Sequence, residues 1–214
     1  MNFFSHAAVA LRFSEAPEFV LGAMLPDFAS MLGARLGTIG DPTLERGVRF
    51  HHLTDHVFHD LDVFRTLSRE ALVELRARGL EKGTARAVAH VGVEILLDAT
   101  LGQSASAQAA YLSGLEAGLR PELIASVAWP DADRRRLADL LETLVRRGIV
   151  LDTSSQTIAE RIKRTLARRP RLALGDDDPP RVRDWVEATR GRVVASTPAL
   201  VAELHGELER RLAP

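Results

Sequence analysis

Cysteine is absent from the 214 residues. That excludes disulfides, a zinc–thiolate site and a thiol nucleophile. Lysine is nearly absent too: Lys82 and Lys163 stand beside a large arginine complement. A GC-rich genome accounts for such a bias more simply than a general anion-binding role does. No run of about 18 apolar residues occurs, so no membrane-spanning helix is expected. The formal net charge of -1 gives non-specific nucleic-acid binding no support. The opening MNFFSHAAVALRF has no basic stretch before its apolar part and carries a histidine inside it. It reads as mature protein and not as a signal peptide, with a cytoplasmic setting as the expectation.

Alternating apolar–polar patterns are almost missing, while Ala, Leu, Arg and Glu, all strong helix formers, dominate. The expected class is therefore all-α. With no repeat, no low-complexity segment and no strong linker, residues 1–214 are expected to form one domain. The apolar fraction of 46% suffices for a packed core at this length.

Helical patterns are expected over 2–12, over 15–36 with a break near Pro26, and from 43 towards 78. A turn cluster, GTIGDP, separates the last two. Residues 84–101 are apolar except for Arg86, His90, Glu94 and Asp98, which suggests a buried central helix. Further helices are expected near 104–117, 121–127, 131–147 and 154–168. The last should start near Pro179-Pro180 and run from 182 towards 211, with a break near Pro198.

The chemistry-bearing residues fall in two groups. Four of the seven histidines lie between positions 51 and 59. At about 100° per residue, His51, Asp55 and His59 share an arc of about 80°, which His52 and His56 widen to about 140°. Nitrogen and oxygen donors on one helix face suit a first-row divalent ion. The second group is His90, Glu94 and Asp98, each four apart on the apolar helix. Burying two carboxylates costs several kcal/mol apiece unless a metal, an arginine or histidines neutralise them, on the order of magnitude known for buried ions. A single His/Asp pair at this spacing is most often a solvated helix face, and His205 sits in an ordinary charged helix. Two such groups on separate helices of one small chain favour a metal site.

Several short motifs run in order along the chain: Met1-Asn2-Phe3-Phe4-Ser5-His6, then Gly22-Ala23-Met24-Leu25-Pro26-Asp27-Phe28, then Gly47-Val48-Arg49-Phe50-His51-His52-Leu53-Thr54-Asp55. Glu94 and Asp98 follow at the spacing of an acidic pair, and Ala167-Arg168-Arg169-Pro170-Arg171-Leu172 comes near the C-terminus. Together they resemble the acyl carrier protein phosphodiesterase family. The resemblance implies a helical fold similar to the HD-type phosphohydrolases. It also implies a divalent metal, usually manganese, with iron and zinc as alternatives. The implied reaction is hydrolysis of the phosphodiester that joins 4′-phosphopantetheine to the carrier protein.

Carried over by position, the resemblance puts family residues at His6, Asp27, His51 and Asp55, with Glu94 and Asp98 as the acidic pair. The metal ion is expected on the first four, and His90, Glu94 or Asp98 would complete the site or hold a second ion. Asp55, Glu94 and Asp98 become the carboxylates that handle protons. His52, Arg49, Arg168 and Arg169 become candidates for the phosphate and for an acidic carrier protein, with Arg46 and Arg171 beside them. The chain departs from the family at Ala23, where relatives have Asn, at His52, where they have Arg, at Phe58-His59, where they have Thr-Asp, and at Ala99, where they have His. His56 and His90 are additions. A nucleotide or other small phosphoester as substrate, and a non-enzymatic helical module holding a structural ion, stand as alternatives. Oligomeric state is left open.

Overall fold

A computed structural model describes residues 1–149, 152–167 and 169–213. Ten α-helices and no strand are found among the described residues, so the all-α expectation holds. No helix among them is long and apolar enough to cross a membrane. Contacts divide the chain into two compact units: Met1–His56 with Leu101–Leu151, and Val57–Thr100 with Asp152–Pro214.

The first unit holds α1 (Phe3–Ala10), α2 (Pro17–Leu32), most of α3 (Pro42–Asp60), α6 (Ala105–Ala117), α7 (Pro121–Ala125) and α8 (Asp131–Arg147). Proline opens α2 and α7, where its missing N–H has no cost. Asp41 caps α3: its Oδ1 accepts from the Thr43 and Leu44 amides at 2.9 and 2.8 Å. The α2 helix ends at Gly33, whose φ of +66° is a conformation that favours glycine. The α1 helix packs on α2 and α6, and α8 packs on both α2 and α6. Residues 37–40, expected as a turn, run extended enough to bridge Ile39 to Val127.

Pro26 does not break α2, contrary to the sequence expectation; the helix runs through it. Leu25, Phe28 and Ala29 around it are all buried, and this packing outweighs the lost backbone hydrogen bond. The contact that matters most here is between α2 and α3. A Cβ added at Gly22 would lie 2.3 Å from the Leu44 carbonyl oxygen, and one at Gly47 would lie 2.2 Å from the Phe19 oxygen. Only two glycines allow the backbones of these helices to come that close.

The second unit holds the end of α3, α4 (Asp62–Ala77), α5 (Lys82–Leu101) up to Thr100, α9 (Ser155–Leu166) and α10 (Asp178–Leu212). The helix expected from 43 towards 78 is in fact two. Leu61 takes an extended conformation between α3 and α4, and its buried side chain anchors the corner. In α10 the buried residues Val182, Trp185, Val186, Thr189, Val193, Thr197, Leu200, Leu204 and Leu208 form one stripe of three- and four-residue steps. This stripe packs on α4 and α9 and carries the helix straight through Pro198, where a break was expected. Trp185 lies against Gly92, where any Cβ would meet the indole at 2.6 Å. Thr189 and Arg192 both donate to the Glu74 carboxylate, at 3.0 and 2.7 Å, and tie α10 to α4.

Two alanine substitutions test this account of the glycines. Gly47→Ala forces α2 and α3 apart and should cost at least ~1–3 kcal/mol of unfolding free energy in urea. Gly191→Ala, on an exposed stretch of α10 with nothing within 4 Å of the new methyl, should gain up to ~1 kcal/mol from helix propensity. Equal effects at the two positions would contradict the close crossing of α2 and α3.

Candidate metal centre

The Gly22–Gly47 approach sets the position of His51. His51 lies one turn beyond Gly47 on α3, and its Nδ1 is 2.8 Å from the carbonyl oxygen of Ala23, the residue after Gly22. A carbonyl only accepts, so Nδ1 carries the proton and Nε2 keeps its lone pair. A backbone carbonyl holding one imidazole nitrogen so that the other can bind is how metal-ligating histidines are usually oriented. The His51 side chain is buried, and burial pushes its pKa from 6.5 down to about 4 against the opposing effects of the Ala23 hydrogen bond and the Asp55 carboxylate. The ring is therefore neutral near neutral pH, as a ligand must be.

His6, on α1, stacks on His51 with ring centroids 3.9 Å apart and planes 28° from parallel. It is fully buried. Asp27, half-buried and four residues beyond Ala23 on α2, completes the group. One donor atom each from His6, Asp27 and His51 lies within 4.8 Å of the others. Two nitrogens and one oxygen within that span fit a first-row divalent ion of the manganese, iron or zinc kind. Asp55 stands beside this group: its Oδ1 is 3.9 Å from His6 Nε2 and accepts a 2.9 Å hydrogen bond from the Met1 amino group. Its side chain is 40% exposed.

The other predicted residues have different surroundings. Glu94, in the second unit, is buried, and its Oε1 lies 3.2 Å from the Nε2 atoms of both His59 and His90. Burial alone would raise the Glu94 carboxyl; hydrogen bonds to the two imidazoles help to hold it far below the usual carboxylate range. Asp98, buried as well, meets Arg161 of α9 at 3.4 Å. Two imidazoles thus stand beside Glu94 and an arginine beside Asp98. Arg49 is exposed and 3.6 Å from Glu45 one turn away. His52, His56 and Arg169 are exposed, and Arg46 and Arg171 likewise; Arg168 lies outside the described residues.

His59 was grouped by sequence with His51 and Asp55 on one arc. The structure instead groups it with His90 and Glu94. Residues eight apart on a helix are separated by about 12 Å of rise, more than one ion spans. Taken with the angle, the rise was the signal that could have separated them.

Searches against protein-family models, curated proteins and solved structures find no match.

The low pKa of His51 makes a stability prediction. The unfolded chain takes up a proton near pH 6.5 and the folded chain only near 4, so this contribution is complete above pH 6.5 and is lost as pH falls towards 4. In chelator-treated protein, the wild type should lose about 3 kcal/mol more between pH 7.5 and 4 than His51→Gln does, by denaturant titration. Parallel pH profiles for the two proteins would contradict a neutral, buried His51.

Proposed function

We propose that this chain is a divalent-metal-dependent phosphodiesterase of the helical HD-like kind, with His6, Asp27 and His51 as its metal ligands. The observation that supports this most is the convergence of these three side chains. They come from three helices and three separate motifs, each motif belonging to the same resemblance.

The ion would supply Lewis acidity: polarisation of a phosphoryl oxygen and a lowered pKa for water. The chain's own residues do the positioning. The Ala23 carbonyl fixes the tautomer of His51, and His6 packs flat on the same ring, so both imidazoles are held before any ligand arrives. Asp55, partly exposed and adjacent to His6, is the carboxylate suited to orient His6 or a water beside the ion. Exposed His52 on α3, next to His51 in sequence, is the hydrogen-bonding group for a phosphate.

As substrate we propose the phosphopantetheine diester of an acyl carrier protein, following the resemblance. A small phosphodiester is the second reading. It is favoured by His52, since an imidazole replaces the bidentate guanidinium that relatives offer at that position.

Purified protein supplied with manganese should convert holo carrier protein to the apo form, read as a mass shift. It should also hydrolyse bis(p-nitrophenyl) phosphate. Chelation, His51→Ala and Asp27→Asn should each lower turnover by at least about 100-fold while helical circular dichroism is retained. Turnover of the small ester alone selects the second reading. A protein that gains no thermal stability from manganese and turns over neither substrate would overturn the proposal.

A further inference from the structure

We infer that His59, His90 and Glu94 form a second divalent-metal site, built within the second unit and independent of the site formed by His6, Asp27 and His51. His59 comes from the end of α3, and His90 and Glu94 are one turn apart on α5. Both Nε2 atoms lie 3.2 Å from the same oxygen, Glu94 Oε1. Neighbouring ligands on an ion with bonds of about 2.1 Å are separated by about 3.0 Å in octahedral and 3.4 Å in tetrahedral geometry. Both histidine–glutamate separations fall between these values, and all three donor atoms lie within 4.8 Å of one another, a span that one ion can bridge with modest side-chain movement.

The donors are held in place by their surroundings. The two imidazole rings are parallel to within 6°, with centroids 5.0 Å apart. Phe64, itself buried, meets both rings edge-on, at 5.4 Å in each case. Phe58 meets His59 in the same way at 5.3 Å. Apolar walls on these sides fix the ring orientations that a metal needs. The Glu94 side chain is 10% exposed, which places the negative charge in a low-dielectric surrounding where a divalent cation is strongly favoured. His90, by contrast, is 46% exposed, so the site opens to solvent on its side.

Two histidines and one glutamate are a three-donor set that leaves coordination positions for water or an external ligand, as in open zinc sites. A site closed for structural purposes takes four protein donors. Its preferred ions are first-row divalents, with zinc favoured over manganese by the two imidazoles. Neither imidazole belongs to the family pattern described above: His59 replaces an aspartate and His90 is an addition. Glu94 alone is shared with that pattern, so the imidazole pair is this chain's own feature and the site does not depend on the phosphodiesterase reading.

The test is equilibrium dialysis of the full chain against zinc alone, followed by elemental analysis, with cobalt(II) absorption as a coordination probe. The wild type should hold one more equivalent than the His59→Ala/His90→Ala double variant. The same difference should persist when His51→Ala is present in both proteins. The single variant His90→Gln, at a half-exposed position that folding tolerates, should weaken binding at this site by at least about tenfold. Cobalt(II) bands should be lost in the double variant. Equal zinc content in the wild type and the double variant, in both backgrounds, overturns the inference. Loss of one equivalent in His51→Ala with the second retained supports it. A chain that binds zinc only through His59, His90 and Glu94 supports this inference, while the proposed function stands or falls separately on manganese stabilisation and phosphodiester turnover.

Discussion

The His6, Asp27 and His51 cluster of the first unit depends on how closely two helix backbones approach. Gly22 on α2 and Gly47 on α3 meet with no side chain between them, and each would drive a Cβ into the other helix's backbone. At that separation a side chain one turn along α3 can reach a main-chain carbonyl of α2, and His51 does so at Ala23. The hydrogen bond then settles the tautomer, and the tautomer settles which nitrogen is free to bind. Asp27, one turn beyond Ala23 on the same helix, comes within reach as a consequence. A methyl group at either glycine would act on chemistry that it does not touch.

A second constraint is electrostatic. Helices that bury carboxylates and imidazoles must give each a partner. The chain does this differently at each place. His51 is kept neutral by burial and donates to a carbonyl. Glu94 stays charged under two imidazoles, and Asp98 faces an arginine. Burial that makes a carboxylate costly when isolated also strengthens its attraction to any cation placed beside it.

The helical class and most helix spans were legible in the sequence because apolar steps of three and four residues survive almost everywhere, most cleanly in α10. Two errors came from proline. Pro26 and Pro198 looked like breaks, but each lies between buried residues whose packing holds the helix together. A third came from Leu61, where a corner with no glycine or proline gave no signal. The motifs pointed to His6, Asp27, His51 and Asp55. The structure brings the first three within 4.8 Å of one another and leaves Asp55 beside them, a convergence that spacing alone could not show because these residues are far apart in sequence. His59 was misgrouped because angle was weighed without rise. Its pairing with Glu94 is a tertiary contact between α3 and α5 that no local pattern carries.

The central claim is that His6, Asp27 and His51 bind one divalent ion. Anomalous diffraction from crystals grown with manganese tests it most directly. The account predicts an anomalous peak bounded by these three side chains and absent from His51→Ala crystals. A manganese-loaded crystal with no peak there, or with the same peak in the variant, would contradict it.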